Sequence, residues 1–130
     1  METDFELTQD GEEFVARLTR SQALAMHEAL IFLRHRDISA NILALQLGAD
    51  PKAVDSIVER LRVGDAESVE VRFQWGELHV VHSALTSVAT MFMSRGRVLQ
   101  EPFHIRLGFF RENLDALALS LVNAASEVTA

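Results

Sequence analysis

The sequence predicts an α+β domain, mainly α, made by internal duplication of a β-α-α-α unit with pseudo-twofold symmetry, the repeat strands forming a small sheet. Three observations lead there. Identical residues recur 55 positions apart in the first part of each copy: Arg17 and Arg72, His27 and His82, Ala29 and Ala84, Leu30 and Leu85. Farther on the offset is 60, joining Leu47 to Leu107, Gly48 to Gly108, Asp55 to Asp115 and Leu61 to Leu121. The apolar class is also kept at Leu18/Phe73, Leu45/Ile105, Val54/Leu114 and Ile57/Leu117. The offset changes once, around Met91 to Gln100, in the connection after the long helix, and connections tolerate insertions better than packed elements do. Chance similarity between two amphipathic segments is the competing explanation. Each copy is too small to bury much alone, so residues 1–130 are expected to form one domain, with repeat one at 14–63 and repeat two at 69–122.

The elements follow in order. Residues 1–13 are an acidic segment in which Phe5 to Gln9 suit a strand, and Asp10-Gly11 suits a tight turn into a strand from Glu13 to Leu18. In that second strand Phe14, Ala16 and Leu18 share one face; Val69, Val71 and Phe73 repeat the inward set in copy two. The two repeat strands are expected to pair across the pseudo-twofold axis. Thr19 and Gln22 form a capping-box pattern for a helix from Ser21 to about His35. Its apolar positions, Leu24 among them, wrap much of the circumference, which predicts a central helix. The counterpart spans about Gly76 to Met93. Ser39 caps a short helix stopped by Gly48, and Asp50-Pro51 provide the N-cap and first turn of the next. There Val54, Ile57, Val58 and Leu61 fall on one stripe, matched in copy two by Leu114, Leu117, Ala118 and Leu121.

Composition excludes several classes. Nearly half the chain is apolar and about a quarter is charged, which argues against disorder. No apolar run is long enough to span a bilayer, and Met1-Glu-Thr-Asp is acidic where a signal peptide is basic. With no cysteine there is neither disulfide nor thiolate chemistry. No membrane partner and a cytoplasmic location are therefore expected. The net charge of −7 is unevenly placed: six acids (Glu2, Asp4, Glu6, Asp10, Glu12, Glu13) precede Phe14, leaving thirteen acids against twelve bases beyond them. The segment reads as a solvated end or as a docking element for a basic partner. One lysine, Lys52, beside eleven arginines points to a GC-rich bacterial genome.

The run from Ile42 to Leu61, with Leu47-Gly48 at its corner and Asp50-Pro51 opening the second helix, resembles a helix-turn-helix. The run from Phe103 to Leu121 is similar but has Phe110 where Asp50 caps. The pattern of a tandem repeat of such corners with following strands also looks like a winged-helix core. That resemblance implies a DNA-reading helix presenting Lys52, Asp55, Ser56, Glu59 and Arg60. The acids at Asp55 and Glu59 would meet phosphates or base edges, whereas affinity for DNA depends on neutralising phosphates. In copy two Glu112, Asp115, Ala116 and Leu119 stand at the reading positions. DNA binding is thus the second expectation and not the preferred one.

Chemistry-bearing patterns are sparse. His79 and His82 stand three apart on a helix with Glu77 near, but no third ligand is defined and no zinc signature is present. His27 and His82 read better as repeat-related, hydrogen-bonded structural histidines. Asp55 and Asp115 are repeat-related carboxylates whose proximity the sequence does not establish. There is no Gly-rich phosphate loop and no nucleophile motif. No enzyme activity, cofactor or metal is expected. The leading expectation is a non-catalytic protein-interaction module, a bacterial regulatory adaptor or an immunity or antitoxin-type inhibitor. Its partner is another protein or a second copy of the same chain. The candidate contact residues are Met91, Phe92, Met93, Phe109, Phe110, Leu119 and Val122, where copy two exchanges charge for apolar side chains.

Overall fold

The computed structural model describes residues 1–94 and 111–129. It is an α+β fold, mainly helical, with one three-stranded antiparallel sheet in the order β1-β2-β3. Strands β1 (Glu6–Asp10) and β2 (Glu13–Thr19) form a hairpin in which Asp10 pairs with Glu13, leaving Gly11-Glu12 as the loop. Gly11 has φ +66° and, among the described residues, no non-glycine residue has positive φ. This suits a type II′ hairpin, whose first central position favours glycine.

Strand β3 (Ser68–Gln74) pairs with β2, setting Phe14 opposite Phe73, Ala16 opposite Val71 and Leu18 opposite Val69. Residues directly opposite in an antiparallel pair share a face, so the expected inward set lies together. Phe14, Ala16, Leu18, Val71 and Phe73 are buried, with Leu7 of β1 beside them. The other face is polar. There Arg17 meets Glu70 at 3.2 Å, and Arg72 meets Asp10 at 2.9 Å and Glu13 at 3.4 Å. Pairs this exposed add little stability, but a charged outer face keeps the sheet soluble.

Helix α1 (Arg20–Arg34) follows β2 without a loop. Both halves of the expected capping box are present: the Gln22 N–H donates to Thr19 Oγ1 and the Thr19 N–H to Gln22 Oε1. The buried Gln22 amide also donates to the carbonyls of Glu2 and Asp4, both at 2.9 Å. The N-terminal arm is thereby fastened to the start of α1. Helix α2 (Ala40–Leu47) starts at Ser39 and stops at Gly48, which is left-handed at φ +76°. Helix α3 (Pro51–Arg60) has Asp50 as N-cap and Pro51 in its first turn, and buries Val54, Ile57 and Val58.

Helix α4 (Trp75–Ser94) follows β3 as directly as α1 follows β2. Helices α1 and α4 contact each other and both contact the sheet, which makes them the centre of the core. Leu30, Leu33, Leu85 and Val88 are fully buried between layers. Leu24, expected inside, is 42% exposed; it lies on the side of α1 facing a surface cleft described below. The last helix, α5 (Arg111–Thr129), buries the expected stripe Leu114, Leu117, Ala118 and Leu121. It runs seven residues past Val122, the expected end of the second copy, because Ala124 is buried and Ala125 and Val128 pack against the core. Those extra turns lie beside β1. No helix among the described residues is long and apolar enough to cross a membrane.

Candidate functional site

Two of the clefts among the described residues open between helical segments. The first, about 390 Å³, lies between α1 and the chain leaving α3, and is lined by Arg20, Leu24, His27, Leu61, Arg62, Val63 and Gly64. The second, about 360 Å³, lies between the first half of α4 and the last half of α5. Its walls include Trp75, His79, His82, Leu121, Val122 and Ala125. Five residues of the first cleft stand 55 or 60 positions before five of the second: Arg20 and Trp75, Leu24 and His79, His27 and His82, Leu61 and Leu121, Arg62 and Val122. The chemistry differs: the first cleft carries two guanidinium groups where the second carries an indole and an isopropyl group.

The second cleft is the more apolar surface. Trp75 is 54% exposed although it heads a buried helix, and its ring leans on Phe14 with centroids 5.4 Å apart and planes at 54°. That tilted contact holds the indole in one orientation at the cleft mouth. Val122 is 48% exposed, and Leu119, one turn earlier on α5, is 60% exposed. Exposed large apolar side chains gathered around a concavity are unusual on a surface that meets only water.

Of the residues expected to form a contact surface, the structure brings Val122 into this cleft and leaves Leu119 exposed beside it on the same helix. Met91 is half-buried at the far end of α4, where the Arg36 guanidinium approaches its sulfur at 3.5 Å. It stands about three turns from His79 along the helix, on the order of 18 Å at 1.5 Å per residue, and does not line this cleft. Phe109 and Phe110 lie outside the described residues, as do the side chains of Phe92 and Met93. Trp75 was missed by sequence reasoning, although the one tryptophan of the chain at a position where copy one has Arg20 was the available signal. Ile42 and Leu45, exposed on α2, were likewise not singled out.

The histidines are placed differently from the expectation of a hydrogen-bonded pair. His27 Nδ1 is buried without a hydrogen bond; the nearest carboxylate oxygen, Glu28 Oε1, is 3.5 Å away, too far and too poorly aligned to serve. His79 Nε2 lies 3.3 Å from Ser83 Oγ, and its ring packs over Gly48. Glu77, which the sequence set near the histidines, turns toward Arg60 instead. Arg60 donates to both Glu77 oxygens, at 2.9 Å to Oε1, and to the carbonyl of Arg72 at 2.7 Å. The Gln74 N–H donates to Glu77 Oε1 at 2.8 Å. The hydrogen bonds from Arg60 hold the Glu77 carboxyl below the usual carboxylate range, and the same contact raises the Arg60 guanidinium.

Asp55, Glu59 and Arg60 of the DNA reading are engaged within the chain. Arg60 is held as just described, Arg34 grips Asp55 at 2.9 Å, and Arg62 pairs with Glu59 at 2.8 Å. The acidic segment is also partly used internally. Asp10 and Glu13 face Arg72, and Asp4 accepts from Ser120 Oγ at 3.0 Å. Family models, curated proteins and solved structures give no match to this chain.

Proposed function

We propose that this chain is a non-catalytic protein-interaction module built on a duplicated β-α-α-α unit, and that its partner docks in the cleft between α4 and α5. The observation that carries the reading is the exposed Trp75–Val122 wall, with Leu119 at its rim, in a cleft whose counterpart is cationic. A large aromatic ring held still at the mouth of an apolar concavity is the usual composition of a binding hot spot. Surface occlusion is the mechanism: a partner side chain seated against Trp75 covers that face. A regulatory adaptor and an immunity or antitoxin-type inhibitor both work in this way.

Several features support the duplication. The five cleft pairs keep the two sequence offsets. The strand register is symmetric about the Ala16–Val71 pair, whose members are themselves 55 apart. The Thr19 N–H bonds to the side chain of Gln22, and the Gln74 N–H to that of Glu77, at the same offset. The buried Val54, Ile57 and Leu61 stand 60 positions before the buried Leu114, Leu117 and Leu121. Nucleic-acid binding has weaker support, because Arg34 and Arg60 each already hold a carboxylate through two nitrogens, and a phosphate would have to displace it.

The test is a photo-crosslinking side chain at Val122 in the full chain, expressed in its own cell. A discrete protein adduct is expected, identified by mass and lost when Trp75→Ala is added. An adduct of twice the chain mass would identify the partner as a second copy. No adduct, with a monomeric mass by sedimentation, sinks the proposal.

A further inference from the structure

The cationic cleft has no role in that docking surface. Arg20 and Arg62 are both exposed, and both line it. Arg62 Nε is taken by Glu59, which leaves the terminal nitrogens of its guanidinium. Arg20 has no side-chain partner among the described residues, and no acid in the first turn of α1 offsets its charge. Leu24, Leu61 and Val63 supply apolar walls to the same cleft.

His27 completes the site. Its Nδ1 is sealed from solvent and bonded to nothing. The His27 ring lines the cleft together with the two arginines. Glu28, 3.5 Å from Nδ1, is the acid nearest the ring.

We propose that this cleft binds a small organic anion, a carboxylate or phosphate group on a short apolar body. The anionic head sits between the Arg20 and Arg62 guanidiniums, which can each give two parallel N–H donors to one oxyanion. His27, which lines the same cleft, adds a polar ring to its wall. The body of the ligand lies on Leu24, Leu61 and Val63. A volume of about 390 Å³ falls at the small end of natural ligand sites. The α4–α5 cleft has the same position in its own helix pair but neither arginine, and so serves as an internal control.

The test is proton–nitrogen correlation NMR of the full chain, titrated with inorganic phosphate, phenyl phosphate, hexanoate and the neutral analogue 1-hexanol. Saturable shifts are expected at the amides of Arg20 to His27 and Leu61 to Gly64 with phenyl phosphate, hexanoate or both, while the Trp75 indole N–H stays in place. Hexanol should give none. Binding of both phosphates but not hexanoate would identify the head as phosphate; hexanoate alone would identify it as carboxylate. Arg20→Gln combined with Arg62→Gln should weaken binding roughly tenfold or more, about what one lost charged contact supplies. Both substitutions are on the surface, and an unchanged melting temperature confirms an intact fold. Shifts that do not saturate by roughly 10 mM, where affinity is too weak to be specific, overturn the assignment. So does equal binding of hexanol and hexanoate, or full affinity in the double variant.

Discussion

Arg60 offers the sharpest quantitative test, because the DNA reading and the structure assign it opposite roles. In a DNA-reading helix it would be free, and its removal would leave stability unchanged. In this fold it ties the end of α3 to the first turn of α4 through Glu77 and covers the Arg72 carbonyl on the outer edge of β3. Arg60→Ala removes two charge-assisted contacts and one hydrogen bond to an edge-strand carbonyl. The side chains of Arg60 and Glu77 are 32% and 24% exposed, so water replaces part of what is lost. Glu77 also keeps the Gln74 N–H. The cost is therefore well below that of breaking a fully buried pair, and about 2 kcal/mol is expected. For a domain of this size that is a fall in Tm of roughly 8 °C.

The assay is thermal and urea denaturation of wild type, Arg60→Ala, Glu77→Gln and the double variant. Glu77→Gln alone should cost about 1 kcal/mol, since its amide oxygen still accepts from Gln74. The coupling from the cycle should be about 1 kcal/mol. The pH dependence has a definite sign. The folded-state carboxyl of Glu77 is depressed, so its ionised form contributes stability that is fully present above the ordinary value of 4.5 and is lost as pH falls through the lower folded value. The difference between wild type and Glu77→Gln should thus be constant near neutrality and shrink in acid. Arg60 titrates far above this range and adds nothing to the slope. A fall in Tm below about 2 °C for Arg60→Ala, or additivity of the two single variants within about 0.3 kcal/mol, refutes the clamp.

Two further expectations concern the core and its turns. Gly48→Ala puts a Cβ in a left-handed residue and 3.3 Å from the His79 ring, and should cost about 1–2 kcal/mol in urea denaturation. Adding His79→Ala should recover only the contact share, leaving the backbone share of about 1 kcal/mol. Leu114→Ala empties a fully buried site at the α4–α5 contact and should cost about 3 kcal/mol with no change in the urea m-value.

Local signals in the sequence carried far. The alternation in Phe14, Ala16 and Leu18 gave the strand phase, and Thr19 with Gln22 and Asp50 with Pro51 gave two helix starts, because such signals act within three or four residues. What was missed depends on contacts across the chain. At the start of α4, expected near Gly76 and found at Trp75, the cap from Glu77 to the Gln74 N–H is local, whereas the grip of Arg60 from α3 on the same carboxylate is not. The last turns of α5 continue because Ala124 and Val128 meet β1, more than a hundred residues earlier. The clefts join one side of a helix to the chain leaving another, so neither appears as a motif. The role of Trp75 could be seen only once Arg20 and Trp75 were found at corresponding places.

On the proposed duplication, the sheet accounts for a difference between the two units. On the proposed duplication Arg60 and Ser120 are equivalent, and each lies near the outer side of a repeat strand. Among the described residues no strand pairs with the outer edge of β3, and an exposed row of backbone groups invites pairing with another chain. Arg60 closes part of it by binding the Arg72 carbonyl. The outer edge of β2 is already covered by β1, which has no counterpart in the second unit. An arginine at Ser120 would meet the arm leading into β1, where Asp4 now accepts from the small hydroxyl. The acidic segment thus acts first as an edge strand and tether, and only its remaining carboxylates are left for a partner. By covering one edge it freed the second unit from the Arg60 clamp. That leaves the outer side of α5 without this constraint, and it is there that Leu119 and Val122 stand exposed.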